Sequence, residues 1–291
     1  MQQRRIGSRN VGAIGLGEMP MSIEGRPDEA RSIATIHAAL ESGMTLIDTA
    51  DAYSLGGDDT GHGELLVASA LASWGGDRDS VLVATKAGHV RPGGGAWTVN
   101  SDPAYLRSAA EASLRRLGVE AIGLYQYHRP DPKVPYEEAV GVFKELMDEG
   151  KALMVGISNA NVAQIDIARS VLGEGKLVSV QNQFSPFFRS SEGEMRYCGE
   201  LGIAFLPWSP FGGIGNGAAL GREHPEFGRV ASEHGASAHQ VVLAWMLAKG
   251  EHVIPIPGAS RPGSARGSAA AADLKLSEEE VALLDAGPGG A

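Results

Sequence analysis

Side chains capable of acid–base chemistry stand at the ends of short apolar runs. Asp48 closes Leu46-Ile47-Asp48, Lys86 closes Ala84-Thr85-Lys86, and His128 closes Leu124-Tyr125-Gln126-Tyr127-His128; Tyr53 follows Asp48 in the next loop. A carboxylate and an ammonium at neighbouring run ends can pair, which spares either charge an isolated burial costing several kcal/mol. The pair is either purely structural, or it keeps Lys86 charged so that the ammonium lowers the pKa of a nearby Tyr53 hydroxyl from about 10 and makes it a workable general acid. His128 is either a satisfied interior histidine or a group that orients a substrate oxygen and assists proton transfer.

These residues act together only if the chain brings each run to the same end of one sheet. Apolar runs rich in β-branched residues occur at 11–15, 45–49, 81–86, 123–128, 153–158, 177–183, 204–209 and 253–257. Helical stretches fill the gaps at 28–42, 64–73, 104–117, 136–149, 162–172, 192–200, 239–248 and 261–271. This alternation predicts parallel strands with helical crossovers. Eight of each, with no linker or composition break, favour an α/β (β/α)8 TIM barrel over residues 1–291 as a single domain. In such a barrel the reactive groups gather at the carboxyl ends of strands, where Asp48, Lys86 and His128 stand. Asp102 before Pro103 and Asn161 before Val162 are expected helix caps. Outside the eightfold pattern, residues 2–6 suggest an N-terminal hairpin strand plugging the barrel's bottom, and 276–284 an extra C-terminal helix opened by Ser277 with Glu280 three residues on. The Gly/Ala-rich stretch 258–272 reads either as a flexible loop or, from its place after the eighth run, as a phosphate-contacting turn and helix.

Composition narrows the partners. Lys and Arg total 25 against 35 Asp and Glu, for a net charge of -10, and the basic runs are no longer than Arg4-Arg5 and Arg115-Arg116. That argues against a nucleic-acid partner while leaving room for an anionic cofactor held by local donors. The single Cys198 cannot form an intramolecular disulfide and is expected as buried filler in a reducing compartment. Residues 1–7 lack the apolar stretch of a secretory signal, and no segment has the roughly 18 uninterrupted apolar residues of a membrane span, so a cytoplasmic protein without membrane association is expected. His37, His224, His234, His239 and His252 show no metal-ligand spacing, and no metal is expected. Glu64, after Gly61-His62-Gly63 at a helix start, reads as structural, facing exposed helix amides.

Taken in order, the motifs resemble the aldo-keto reductase superfamily over nearly the whole chain. They are Gly15-Leu16-Gly17, Ile47-Asp48-Thr49-Ala50-Asp51-Ala52-Tyr53, Thr85-Lys86, Tyr125-Gln126-Tyr127-His128-Arg129-Pro130-Asp131, Gly156-Ile157-Ser158-Asn159, Trp208-Ser209-Pro210 and Ile254-Pro255-Ile256-Pro257-Gly258. The resemblance implies a barrel that binds extended NADPH across its top without a Rossmann glycine fingerprint, and that passes a hydride to an aldehyde or ketone. It assigns Tyr53 as the proton donor, Lys86 and Asp48 as the groups that tune it, and His128 as the group that places the carbonyl. It further implies that Gly17 and Asp48 border the cofactor and that Ser158 and Asn159 hold the nicotinamide carboxamide, helped by a glutamine on the sixth strand. Gln181 and Gln183 share one face there, and alignment with the family favours Gln183. By the same resemblance Trp208 stacks on the nicotinamide, and Ser209, Pro210, Phe211 and Gly213 form the turn under the pyrophosphate. Gly258, Ser260, Arg261 and Ser264 match positions that contact the adenosine phosphate, and a guanidinium suits a phosphate fork. This favours NADPH over NADH, although the family's adenine-gripping Glu-Asn pair is Gly267-Ser268 here, with Arg266 beside it.

The Gly/Asp-rich loop 54–62 and the short tail after Leu284 suggest an open pocket for a small-molecule carbonyl substrate, with Met19, Met21, His89, 94–97 and 184–188 as candidate lining. Neither the natural substrate nor the oligomeric state is legible. Two other classes fit parts of the pattern. A cofactor-binding, redox-sensing regulatory subunit would bind tightly and turn over slowly, and a barrel lyase or isomerase would use Lys86 as a Schiff-base nucleophile.

Overall fold

The computed structural model describes residues 1–213 and 216–287. Its strands are β1 (Gln3–Ile6), β2 (Arg9–Gly12), β3 (Leu16–Gly17), β4 (Leu46–Asp48), β5 (Leu82–Ala87), β6 (His89–Gly93), β7 (Ala96–Val99), β8 (Leu124–Tyr127), β9 (Val155–Ser158), β10 (Leu177–Gln181) and β11 (Ala204–Phe205). Seven of them form one parallel sheet in the order β11-β10-β9-β8-β5-β4-β3. Residues 253–257 supply the eighth stave through backbone bonds on both sides. Ile254 and Ile256 donate to Phe205 and Pro207, while Gly15 and Gly17 donate to Pro255 and Pro257. The result is a closed (β/α)8 barrel. Gly17 has to be glycine at that joint, because a Cβ would lie 2.8 Å from the Ile256 carbonyl oxygen.

The helices are α1 (Glu29–Glu41), α2 (His62–Ser73), α3 (Pro103–Leu117), α4 (Tyr136–Asp148), α5 (Val162–Leu172), α6 (Glu192–Leu201), α7 (Leu220–Glu223), α8 (Pro225–His234), α9 (Ala238–Ala248), α10 (Pro262–Ala270) and α11 (Glu278–Asp285). Asp102 caps α3 by accepting from the Ala104 and Tyr105 amides, and Asn161 with Gln164 and Ser277 with Glu280 form capping boxes. No helix among the described residues is long and apolar enough to cross a membrane.

Several expectations shift. The run at 11–15 is not the first stave: β2 pairs antiparallel with β1, Gln3 opposite Gly12, and the barrel's first stave begins only at Gly15, bonded to Pro255, and continues as β3 paired with β4. Ile6 and Val11 of that hairpin join the barrel's interior cluster from below. The third loop contains an antiparallel hairpin, β6–β7, and the stretch before α9 folds as α7 and α8, with Pro225 opening α8 and Gly235 ending it in the left-handed region. Stretch 258–272 is ordered as α10 and a following 3-10 turn. Glu64 is structural, but its partners are side chains: it accepts from Thr85 Oγ at 2.6 Å and Arg116 Nη1 at 2.9 Å, linking α2 to β5 and α3.

Alternation along each stave separates two layers. Tyr125, Tyr127, Val155, Ile157 and Val180 face the helices in the largest core cluster. Leu46, Leu82, Ala84, Leu124, Leu206, Ile254 and Ile256 point into the barrel and fill it. The next positions of those inward rows, moving toward the carboxyl ends, are Asp48, Lys86, Gln126, His128, Trp208 and Gly258. The apolar filling of the barrel is thus continued upward by polar side chains at Asp48, Lys86, Gln126 and His128, with Trp208 and Gly258 on the other two rows.

Candidate active site

Above the apolar plug lies a cleft of about 520 Å³ bordered by Gly17, Asp48, Tyr53, His128, Ser158, Asn159, Trp208, Ser209, Pro210, Phe211, Gly213 and Gly258. At its floor Lys86 is wholly buried and donates to Asp48 Oδ1 at 2.6 Å, to the Thr49 carbonyl at 2.9 Å and to the Tyr53 hydroxyl at 3.1 Å. Asp48 Oδ2 accepts from Gln181 Nε2 at 2.7 Å and Gln126 Nε2 at 3.2 Å. Staves β4, β5, β8 and β10 therefore each contribute one side chain to a hydrogen-bonded floor. The Tyr53 ring meets the His128 ring edge-on at 5.7 Å.

Burial acts on each group. It pulls the Lys86 ammonium down, but Asp48 and Tyr53 more than offset it and hold Lys86 above its usual value. Burial pushes the Tyr53 hydroxyl above 10, and the Lys86 charge recovers only part of that. The expectation that Lys86 brings Tyr53 below its ordinary value is therefore corrected, because desolvation outweighs the one cation. Burial, with Lys86, His89 and Arg129 adding to it, drives His128 far below 6.5, so its ring is neutral at pH 7.

Of the other residues singled out from sequence, Gln183 does not border the cleft and Gln181 does. β10 ends at Gln181; beyond it Asn182 is tied to Ala160 in both directions, and Gln183 sits farther out, bridged to Trp208. Ser260, Arg261 and Ser264 lie outside the cleft, at the start of α10 just beyond Gly258, with Arg261 exposed. Met19, His89 and Trp97 line the cleft, whereas Met21 and Phe184 are wholly buried, Phe184 stacked on Trp245. His89 stacks on Trp97 at 4.5 Å, and the Arg91 guanidinium lies 4.2 Å from the Trp97 ring centre. Pro20, Ile23 and Arg129 also border the cleft, and sequence reasoning missed them. It missed Gln126 as well, although the inward alternation Leu124, Gln126, His128 was available to find it.

Asn159 and Ser209 are the non-glycine residues with positive φ among those described, at 56° and 51°, and both border the cleft. Such conformations cost about 1–3 kcal/mol and gather at functional sites. Asn159 is held by donating Nδ2 to the His128 carbonyl at 2.9 Å and to Ser158 Oγ at 3.0 Å. Among the described residues, no cluster of three or more His, Cys, Asp or Glu side chains could hold a metal ion.

The aldo/keto reductase family model matches residues 13–287. The chain is 34% identical over 285 residues to an uncharacterized oxidoreductase of Schizosaccharomyces pombe, covering 97% of this chain and 88% of that one. It is 33% identical over 312 residues to probable aldo-keto reductase 1 of Glycine max, covering 97% and 87%. The solved aldo-keto reductase of Klebsiella pneumoniae in complex with NADPH superposes with a TM-score of 0.80 at 28% identity, covering 98% of this chain and 95% of that one. From the match along the chain, the shared barrel and these relatives, the protein belongs to the aldo/keto reductase family.

Proposed function

We propose that the protein is an NADPH-dependent carbonyl reductase that converts an aldehyde or ketone to an alcohol. The observation that carries this reading is the bonded row Asp48–Lys86–Tyr53 at the floor of the cleft. The residues present fit a reduced nicotinamide dinucleotide. Trp208 offers a ring at the cleft wall whose buried Nε1 has no partner among the described residues, Ser158, Asn159 and Gln181 are polar groups at adjoining staves, and Arg261 stands exposed at the far end for a 2′-phosphate. The NADPH complex of the Klebsiella pneumoniae relative supports the same choice. When bound, the cofactor supplies the hydride.

The chain's own residues manage the proton. Tyr53 keeps its proton through the neutral range and gives it to the carbonyl oxygen as charge develops there. Lys86, 3.1 Å from the hydroxyl, stabilises the phenolate left behind, and Asp48 keeps that ammonium charged and oriented. His128, neutral beside Tyr53, donates a hydrogen bond to the carbonyl oxygen without competing as the acid. A Schiff-base role for Lys86 is disfavoured, since its amine is protonated, buried and committed to three acceptors.

The test is oxidation of NADPH against a panel of aldehydes and ketones, in wild type and Tyr53→Phe, with cofactor binding followed by tryptophan fluorescence. Turnover in wild type, and its loss with binding retained in Tyr53→Phe, is expected. Undiminished turnover in Tyr53→Phe removes that residue from its role. Tight binding without turnover of any carbonyl moves the assignment to a redox-sensing subunit, and no binding of NADPH or NADH refutes both.

A further inference from the structure

The loop leaving β3 carries a second carboxyl into the interior, which the chemistry above does not use. Glu18 is wholly buried, and its amide donates to the Asp48 carbonyl at 2.9 Å, fixing it to the stave that carries the site carboxylate. Both of its oxygens are engaged. Thr49 Oγ donates to Oε2 at 2.9 Å, and the Ser22 hydroxyl donates to Oε1. Ser22 Oγ lies 2.8 Å from Nδ1 of His62, the part-exposed first residue of α2. On the inner side the carbonyl of the same Thr49 accepts from Lys86 Nζ. A connected row thus runs from His62 through Ser22, Glu18 and Thr49 to the ammonium that serves Tyr53. The chamber is tight: a Cβ on Gly63 would fall 2.4 Å from Glu18 Oε2 and 2.6 Å from Thr49 Oγ1.

The side-chain partners of Glu18 are hydroxyls, with no cation in contact among the described residues, which is a poor setting for a permanent buried carboxylate. Burial pushes its carboxyl up to about 7, against the Ser22 and Thr49 hydrogen bonds and the Lys86 charge, with Asp48 adding to the rise. The charged and titratable groups around the row are Lys86 and Asp48 on the staves, Tyr53 in the following loop, and Arg26, Asp59 and Glu29 about the His62 ring.

We propose that Glu18 is a positioning residue that stores a proton, exchanged with solvent through Ser22 and His62, and that its charge sets the proton affinity of the Lys86–Tyr53 pair. The exchange balances as proton transfer alone. Water protonates Nε2 of a His62 ring that carries hydrogen on Nδ1. The Nδ1 proton passes to Ser22 Oγ while the Ser22 hydroxyl proton passes to Glu18 Oε1, leaving both His62 and Glu18 neutral. Ionised Glu18 raises the Tyr53 pKa, so the alkaline limb of carbonyl reduction lies at higher pH than it would beside a neutral residue.

The role in catalysis rests on the reductase reading, but the stored proton does not, so two experiments are paired. Reduction kcat/KM is followed against pH in wild type and Glu18→Gln. The variant is expected to lose an inflection near neutrality and to move its alkaline limb down by on the order of 1 pH unit, the effect of one neighbouring charge in a medium between water and dry protein. A variant profile that superimposes on wild type overturns the proposal. Independently, the infrared carbonyl stretch of protonated carboxyls is titrated in wild type and in His62→Asn. A band that fades across neutrality in wild type, and that follows a pH jump more slowly in His62→Asn, supports the stored proton and its route. A band constant across that range overturns the proposal even if Glu18→Gln does not fold, and an equally fast response in His62→Asn overturns the route. If wild type reduces no carbonyl, the reductase reading fails and the catalytic role with it, while the infrared titration still decides the proton.

Discussion

Lys86→Met deletes a charge while keeping most of the side chain's length, and its consequence can be worked through from the floor of the cleft. Three hydrogen bonds go, to Asp48, Thr49 and Tyr53. The larger loss is that Asp48, only 2% exposed, is left without its cation. Removing one partner of a buried pair costs about 3–5 kcal/mol. Asp48 keeps the Gln181 and Gln126 amides on Oδ2, which places the variant at the lower end, about 3 kcal/mol. For a chain of this size that is a fall in Tm of roughly 6 °C. Adding Asp48→Asn removes the stranded charge, so Lys86→Met/Asp48→Asn is expected to regain half or more of the loss, as a double-mutant cycle of directly interacting residues. The assay is calorimetry of the four proteins at neutral pH without cofactor, since a bound ligand would itself move Tm. A single variant melting within about 1 °C of wild type, or a double variant no more stable than Lys86→Met, refutes the claim that charge compensation holds this floor together.

Two further outcomes follow from the cleft walls. Trp208→Ala removes a stacking face worth about 0.5–1.5 kcal/mol, so the Kd for NADPH should rise roughly 2- to 12-fold in a fluorescence titration; an unchanged Kd counts against stacking there. Burial, with Arg129, Arg91 and Lys86, holds His89 down to about 4, so the unfolded chain takes up its proton near pH 6.5 while the folded chain does not. Its contribution is present above pH 6.5 and is lost as pH falls toward 4. Denaturant melts at neutral and acid pH should therefore show a smaller acid-side loss in His89→Asn than in wild type, and equal losses would refute the assignment.

The strand and helix repeat was legible because each stave is a short apolar run and five of the eleven helices among the described residues carry polar caps, on α1, α3, α5, α9 and α11. Asp48, Lys86 and His128 could be placed together because each terminates such a run. What lay beyond the pattern was of four kinds. Gln181 and Gln183 have the same parity, and only the point at which β10 ends separates them. Trp97 approaches His89 through a hairpin in a stretch whose glycines read as plain loop. The direction of the Tyr53 shift depends on how fully the hydroxyl is buried against one nearby cation, a balance of two large opposing effects that residue types cannot supply. Glu18 fell outside every periodic element, so nothing in its spacing distinguished it from a solvated loop residue.

The barrel's closing joint has a direction. Pro255 and Pro257 accept from Gly15 and Gly17, but proline has no amide hydrogen to return, so along residues 255–257 this seam is bonded from one side, until the Gly17–Gly258 bridge at its upper end. Arg4 works on the base of that strand and on the turn leading into it: its guanidinium reaches the carbonyls of Leu247 in α9, Gly250 in the following turn and Val253 at the strand's start, from the β1–β2 hairpin. The β1–β2 hairpin therefore ties down the base of the ring's last strand, and an arginine outside the barrel helps to hold a joint whose prolines cannot return a bond.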